Sequence, residues 1–292
     1  MRHKEKEKTA QWSVPDFNLL PSTKENEIIR YGRDLIINTS TYLGPKGIVA
    51  AISNGMNCQN CHLDAGTRLD ANPFALVASS YPKYRDRSGR IESIEFRVNE
   101  CMQRSMNGKT IDSLSKEMIA IVTYLKWVGH TVPKETPPLP GTAFKALPFL
   151  NRAADTVQGK MIYQMKCISC HGRNGEGLVK GDSSGFYYPP LWGDHSYNVS
   201  AGMYRISKLA AFVKNNMPFK QNASEVVSEL TNEEAWDVSA YILSKHRPVI
   251  FFDYDWPKLS TKPVDHPFGP YVDAFSEQQH KYGPFKEMAK KK

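Results

Sequence analysis

The chain lacks several features that would assign it to a common class. No stretch stays apolar for the roughly 20 residues that a membrane-spanning helix needs. The charged N-terminus, residues 1–26, is not followed by the apolar segment of an intact secretory signal. The formal net charge is +8, but its basic residues are scattered and no basic stretch is interleaved with aromatics. We therefore expect no membrane span and no nucleic-acid partner. The positive charge usually gives solubility and solvated faces, and the alternative is an attraction for small anions or an acidic redox protein.

Cysteine is scarce, with five residues among 292, and four of the five fall into two copies of one pattern. C-x-x-C-H is the attachment signature of c-type haem: both thiols bond to the haem, and the histidine ligates its iron. Two redox dithiols or one four-cysteine zinc site would not need a histidine directly after each motif. The sequence therefore predicts two covalently bound haems c, held by Cys58, Cys61 and His62 and by Cys167, Cys170 and His171.

The fifth cysteine, Cys101, is left without a partner once the other four are thioethers. Haem c is attached outside the bacterial cytoplasm, where free thiols are normally oxidised or avoided. We therefore expect a periplasmic protein whose signal peptide has been removed, and a special role for Cys101.

The order of elements around each motif is the same, which indicates an internal repeat. An amphipathic segment precedes each motif, at residues 25–40 and 154–166, and another closes each unit, at residues 113–130 and 230–248. The predicted fold class is all-α, with two tandem class I-like cytochrome c domains. The predicted boundaries are an N-terminal extension at 1–26, a first domain at 27–132, a proline-rich linker at 133–152, a second domain at 153–247 and an irregular wrapping tail at 248–292.

Each iron needs a second axial ligand, which decides its potential and reactivity. In the second domain we favour Met217, because the following Pro218 ends a helix and leaves the sulfur on a loop; Met203 is the alternative. In the first domain the candidates are Cys101, Met102, Met106 and Met118.

Residues 91–106 have a helical pattern that would group polar side chains around Cys101. Arg97, Cys101 and Ser105 are spaced by four and would share one face, with Arg104 beside them. A buried free cysteine is usually a small inert hydrophobe. Cationic neighbours instead favour the thiolate, which is the form that ligates iron, and they would also attract an anionic substrate.

Together, these features resemble one family, the dihaem thiosulfate dehydrogenases, also called tetrathionate synthases. The resemblance rests on the two C-x-x-C-H motifs and four further stretches: FRVNECMQRSMNGK at 96–109, YPPLWG at 188–193, KNNMP at 214–218 and PFGPYVD at 267–273. It extends from about residue 27 to 285, and residues 97–109 are its most diagnostic part.

The resemblance implies oxidation of two thiosulfates to tetrathionate, a reaction that some members also run backwards. It implies a catalytic first haem with His62 and Cys101 as axial ligands, and a relay haem with His171 and Met217 that passes electrons to a small acceptor cytochrome. Some members exchange this methionine for a preceding lysine, but this chain has Asn216 there.

Coupling two dianions requires cations that match oxyanions, so we expect Arg97, Arg104, Ser105 and, less strongly, Arg87 to bind substrate. The resemblance to the family implies that the Cys101 sulfur forms a covalent adduct with the first thiosulfate. Three other functions stay open for this sequence: a passive dihaem electron carrier, a subunit resembling the SoxAX cytochromes, and a dihaem peroxidase.

Overall fold

The structure, a computed structural model, describes residues 12–134, 139–219 and 230–292. It is mainly helical, as predicted, with two small antiparallel hairpins. The helices are α1 (Lys24–Ile37), α2 (Thr39–Leu43), α3 (Leu63–Gly66), α4 (Val77–Ser80), α5 (Ile94–Arg104), α6 (Lys116–Val128), α7 (Thr156–Lys166), α8 (Ile168–His171), α9 (Ile206–Asn216), α10 (Asn232–Leu243), α11 (Glu277–Tyr282) and α12 (Lys286–Lys290). The strands are β1 (Lys83–Arg85), β2 (Arg90–Glu92), β3 (Leu178–Val179) and β4 (Phe186–Tyr188), which pair β1 with β2 and β3 with β4.

In the first unit, α1 crosses α6 at a glycine. A Cβ added to Gly32 would lie 2.1 Å from the Ala120 carbonyl oxygen and 2.7 Å from the Cβ of Tyr124. Only glycine lets the two helix backbones approach this closely. Side chains of Thr23 and Ser115 accept hydrogen bonds from backbone N–H groups in the first turns of α1 and α6, so both helices begin at ordinary N-caps.

The second unit repeats this crossing with α7 and α10. A Cβ at Gly159 would lie 1.9 Å from the Asp237 carbonyl oxygen and 2.9 Å from the Cβ of Tyr241. Thr231 and Glu234 form a capping box that starts α10. Each unit thus packs a glycine of its first helix against its closing helix near a tyrosine, which agrees with the predicted tandem repeat.

Each unit has its own apolar core, and the core of the second unit includes residues of the first unit. The first core contains the fully buried side chains Leu35, Met118 and Tyr124, and the second is centred on Trp236. Residues 61, 63 and 71 of the first unit pack into this second core. The segment after the first C-x-x-C-H motif is therefore part of the contact between the two units.

The C-terminal tail contacts both units, through Asp255 and Asp265, and it contains more helix than expected. It contains α11, α12 and a short 3-10 helix at Leu259–Thr261. Asp265 of the tail pairs with Arg205 of the second unit, and Phe285 and Met288 are buried in the second core. The apolar residues of the tail explain this docking, because leaving them in water would cost free energy.

The linker prediction is only partly covered, because residues 135–138 lie outside the described part of the chain. Phe144, Leu147 and Phe149 of the linker pack against the second core without forming a helix or strand. Within the described ranges, every helix is too short or too polar to span a lipid bilayer. The exact domain boundaries stay predictions.

Candidate functional site

The first C-x-x-C-H motif presents its histidine in a defined tautomer. His62 Nδ1 lies 2.6 Å from the Asn72 carbonyl oxygen, so Nδ1 carries the proton and donates it. Nε2 is left with its lone pair, and the Asn72 amide nitrogen lies 3.3 Å from it. Burial lowers the pKa of His62 to about 4, which keeps the imidazole neutral at physiological pH. A neutral ring with a free Nε2 is what an iron ligand requires.

A left-handed turn after His62 fixes the orientation of its ring. Asp64, Ala65 and Gly66 have φ values of 53°, 56° and 81°. A Cβ at Gly66 would meet the Phe74 ring at 2.0 Å, so this position requires glycine for space as well as for conformation. The Phe74 ring stacks on the His62 ring with centroids 4.4 Å apart.

The second motif has the same arrangement. Its histidine, His171, ends the short α8 and lies with Nδ1 2.9 Å from the Pro189 carbonyl oxygen. Burial lowers the pKa of His171, so this ring is also held neutral with Nε2 available. Pro189 belongs to the YPPLWG stretch, so this stretch orients the His171 ring through the hydrogen bond to the Pro189 carbonyl oxygen.

The donors present fit haem c. None of the four motif cysteines forms a disulfide with another, so all four sulfurs are available for attachment to haem. Among the described residues, no group of three or more His, Cys, Asp or Glu side chains could hold a bare metal ion, so the motifs do not combine into a zinc site. Cys58 and Cys61 would attach the first haem and His62 would ligate its iron, and the second motif would hold the other haem in the same way.

Cys101 lies beside the first motif. It is half-buried on α5, and its electrostatic interaction with Cys61 adds to the effect of burial in raising the pKa of Cys61 to about 12. Electrostatic interaction with Cys101 is also the largest cause that raises the pKa of Arg97. The Arg97 side chain is 35% exposed, and its Nη1 lies 3.7 Å from Glu100 Oε2. The structure thus brings Cys101 and Arg97 together next to the cysteines that would carry the first haem.

The methionines that compete with Cys101 lie in the first core. Met102, Met106 and Met118 are at most 3% exposed and pack among the apolar side chains of that core. Their burial is what core packing predicts, and the half-buried Cys101 is the candidate outside this core that would hold the first haem iron.

Arg104 and Arg87 have different surroundings from Arg97. The Arg104 side chain is 2% exposed and donates to Glu100 Oε1 at 2.7 Å and to both Asp255 oxygens at 2.8 Å. Arg87 donates to Asp255 at 2.8 Å and to the Ser200 carbonyl oxygen at 2.7 Å. These donors make short hydrogen bonds to protein acceptors, whereas the ion pair of Arg97 with Glu100 is longer, at 3.7 Å, so Arg97 is the more available of the three to a substrate at Cys101.

The arginines around Asp255 compensate for the burial of the Asp255 and Glu100 carboxylates. Burial would raise the pKa of Asp255 and of Glu100, but the hydrogen bonds and charges of their arginine partners outweigh it and hold both pKa values below their usual range. Tyr254 also donates to Glu100 Oε1 at 2.8 Å. The network links α5, one residue from Cys101, to the C-terminal tail.

Sequence reasoning missed Glu100, Tyr254 and Asp255. The i, i+4 spacing of Glu100 and Arg104 was a readable signal for their pair. Nothing in the local sequence around Asp255 indicates a partner about 150 positions earlier.

Ser105 and the second-haem methionines complete the predicted set. Ser105 is half-buried at the C-terminal end of α5, and its N–H donates to the Cys101 carbonyl at 2.8 Å. Met217 directly follows α9, is half-buried and packs against the second core. Met203 lies within that core and is 9% exposed. Asn216 donates to the Asp70 carbonyl of the first unit at 3.4 Å, so the Met217 loop touches the loop that follows the first motif.

Comparison with known proteins identifies the family. The family model for the SoxA/TsdA cytochrome c domain matches residues 49–133, and the cytochrome c model matches residues 156–245. The thiosulfate dehydrogenase of Allochromatium vinosum is 34% identical over 251 residues, which are 85% of this chain and 88% of that protein. The chain belongs to the thiosulfate dehydrogenase family.

Further relatives of this family agree. The thiosulfate dehydrogenase of Stutzerimonas stutzeri is 36% identical over 229 residues, covering 78% of this chain and 70% of that protein. The solved structure of the thiosulfate dehydrogenase TsdBA from Marichromatium purpuratum matches with a TM-score of 0.75 and 31% identity over 86% of this chain. This chain spans about half of that one, 52% of its length.

The family assignment confirms three predictions made from the sequence. These are the resemblance itself, the fold of two cytochrome c domains and the cofactor content of two covalently bound haems c. The roles of Cys101, Arg97, Arg104, Ser105, Arg87 and Met217 stay predictions.

Proposed function

We propose that this member of the thiosulfate dehydrogenase family catalyses the oxidative coupling of two thiosulfates to tetrathionate. The observation that carries this proposal within the structure is the position of Cys101 on α5, one helical turn after Arg97 on the same face and beside the first haem motif. Family membership supplies the reaction, because the relatives are named for it. The reverse reaction, tetrathionate reduction, would use the same residues.

The two domains have different roles in this proposal. The first is catalytic, and His62 and Cys101 would hold its haem iron. The second is an electron relay, and His171 and Met217 would hold its haem iron. When bound, the haems supply one-electron redox chemistry, and together they take up the two electrons that the coupling releases.

The Cys101 thiolate is the nucleophile of the coupling. Its sulfur forms an S–S bond with the sulfane sulfur of the first thiosulfate, and this oxidation releases two electrons. A second thiosulfate then attacks that sulfane sulfur, which forms tetrathionate and returns Cys101 to the thiolate. A thiolate held beside a cation is suited to both steps, first as nucleophile and then as leaving group.

Arg97 and Ser105 bind and orient the anions. The Arg97 guanidinium is permanently charged, partly open to solvent and next to Cys101, and its forked donors match a sulfonate group. Arg87 and Arg104 hold α5 in place through Asp255 and act on catalysis through the position of Cys101. Of the three arginines expected from the sequence to contact substrate, only Arg97 keeps that role in this proposal.

Electrons leave through the second domain to a small acceptor cytochrome. Contact between the Met217 loop and the loop after the first motif supports transfer between the two haems, since it joins the two domains close to both motifs. We place the protein in the periplasm, because covalent attachment of haem c takes place outside the cytoplasm.

The decisive experiment is a steady-state assay of the holoprotein with thiosulfate and ferricyanide. Cys101→Ala is expected to keep both haems and lose nearly all turnover. Met102→Leu, a substitution of similar volume in the next residue, is the matched control and should keep its activity. Full activity of Cys101→Ala would reject the catalytic assignment.

The same assay separates the other readings of the chain. A passive electron carrier would show no thiosulfate turnover in the wild-type protein. A SoxAX-like subunit would turn over only with a partner that carries an exposed cysteine, and a peroxidase would consume hydrogen peroxide instead.

A further inference from the structure

A buried cation of the second domain has no acidic partner in the described structure. Arg247 follows α10, and its side chain is among the largest fully buried ones, with the residue 2% exposed. Its Nη2 donates to the Ile242 carbonyl oxygen at 2.9 Å. Its Nε and Nη1 are buried without any hydrogen-bond partner. None of the ion pairs between described residues includes this arginine, so its charge and two of its donor atoms are unmatched.

Two tyrosines face this guanidinium. The Tyr197 ring centroid lies 4.3 Å from the Arg247 Cζ atom, and the Tyr204 ring centroid lies 5.0 Å from it. The Tyr197 hydroxyl is also buried and makes no hydrogen bond of ordinary geometry, although its interaction with Arg247 opposes the effect of burial on its pKa. The other charged groups near these rings are Lys281, whose Nζ lies 5.7 Å from the Tyr204 ring, and the exposed Glu277. Three polar atoms from two side chains, none with a hydrogen bond of ordinary geometry, therefore lie together in the protein interior.

A site of this kind requires an anion. Removing an arginine from water is strongly unfavourable unless an opposite charge and hydrogen bonds replace the lost hydration. The aromatic rings offset part of this cost through cation–π contacts. They cannot accept the in-plane N–H bonds of Nε and Nη1, which need an oxygen acceptor.

The position of the site indicates which anion it is. The residues on either side of Tyr197 bond to the first unit: Asn54 donates to the Ser196 carbonyl oxygen at 3.1 Å, and Asn198 donates to the Gln103 carbonyl oxygen at 2.8 Å. Cys61, the second attachment cysteine of the first haem, packs against the same apolar core as Tyr197 and Tyr204. The unmatched donors thus lie at the junction of the two domains, close to covalently bound haem. Each haem c has two propionates, which are carboxylates tethered to the cofactor.

We propose that Arg247 and Tyr197 bind a haem propionate at the junction of the two domains. The forked guanidinium donates from Nε and Nη1 to the carboxylate, and the Tyr197 hydroxyl donates a further hydrogen bond. Arg247 thereby keeps that propionate ionised in a buried position and sets the reduction potential of its haem. This proposal rests on the cofactor content and does not depend on thiosulfate turnover.

The first test is a redox titration of holoprotein Arg247→Met across pH values from about 5 to 8. Loss of the positive charge should lower the midpoint potential of one haem, because the oxidised iron is then less disfavoured. Loss of its partner also raises the pKa of the propionate, so the potential of that haem should become pH-dependent. The haem whose midpoint potential shifts is the haem that carries the propionate bound by Arg247.

Two further variants control this titration. Arg247→Lys keeps the charge and should retain most of the wild-type potential. Arg152→Met removes a half-exposed arginine of the same domain that pairs with Asp237, and it should leave both potentials independent of pH. Potentials of Arg247→Met equal to those of the wild type over the whole pH range would overturn the proposal.

A second measurement covers the case in which Arg247→Met does not accumulate with both haems. If Tyr197 donates to a propionate, Tyr197→Phe loses a buried hydrogen bond, and the midpoint of thermal unfolding falls by about 2–4 °C. If the hydroxyl has no partner in the holoprotein, removing it leaves the midpoint unchanged or raises it, and the proposal fails. Haem content is measured in every variant, so loss of cofactor is recognised separately.

Discussion

Asp255 joins two buried arginines to the C-terminal tail, and Asp255→Asn tests whether this network holds the catalytic helix. The carboxylate accepts from Arg87 at 2.8 and 3.1 Å and from Arg104 twice at 2.8 Å. Asparagine removes the charge and places an N–H₂ donor against guanidinium donors. Arg104 keeps Glu100, whereas Arg87 loses its carboxylate partner.

The magnitude follows from the burial of these groups. Breaking a buried ion pair by removing one partner costs about 3–5 kcal/mol. The Asp255 side chain is 14% exposed, so we expect the lower end of that range, about 3 kcal/mol. For a chain of this size that loss lowers the unfolding midpoint by roughly 6–12 °C.

The assay is thermal unfolding of the holoprotein followed by circular dichroism, with kcat for thiosulfate measured well below the midpoint. Because Glu100 precedes Cys101 on α5, we expect Asp255→Asn to lower kcat as well. Asp253→Asn, the same substitution at an exposed tail position, should change neither quantity. An Asp255→Asn variant as stable as Asp253→Asn would refute the reasoning.

The same network predicts how stability changes with acid. Asp255 and Glu100 have pKa values below those of the unfolded chain, which are about 3.9 and 4.3. Their contribution to the free energy of unfolding is therefore fully present above about pH 5 and is lost as the pH falls through the folded-state pKa values. Unfolding measured from pH 7 to 3 should show this loss, and Asp255→Asn should show a smaller one.

Three other substitutions test separate parts of the argument. Arg97→Met should raise the KM for thiosulfate by about 10- to 150-fold with both haems intact, because a charged hydrogen bond contributes about 1.5–3 kcal/mol; an unchanged KM would remove Arg97 from the binding site. Met217→Gly should shift the potential of the second haem while Met203→Gly does not, and the opposite result would assign Met203 as the ligand. Gly159→Ala should lower the free energy of unfolding by about 1–3 kcal/mol, because its Cβ would meet the Asp237 carbonyl oxygen at 1.9 Å. Gly181→Ala, where a Cβ meets nothing within 4 Å, is its control, and equal stability of these two alanine variants would contradict the role of the crossing.

Local sequence was sufficient for the features that depend on neighbouring residues. The C-x-x-C-H spacing, the segments that became α1, α6, α7 and α10, and the capping box at the start of α10 involve positions a few residues apart. The short helices of the tail were missed, because α11 and α12 are too brief to show a helical period and are held by packing against the second core.

The sequence by itself determined where the two haems are attached and which cysteine is left over, because covalent attachment depends on contiguous residue types. Only the tertiary structure distinguished the arginines. Arg97 and Arg104 both lie within four residues of Cys101 along the chain, but a carboxylate from the distant tail occupies Arg104 and leaves Arg97 beside the thiol. Long-range charge pairing decides which cation remains available, and the chain must fold before that pairing exists.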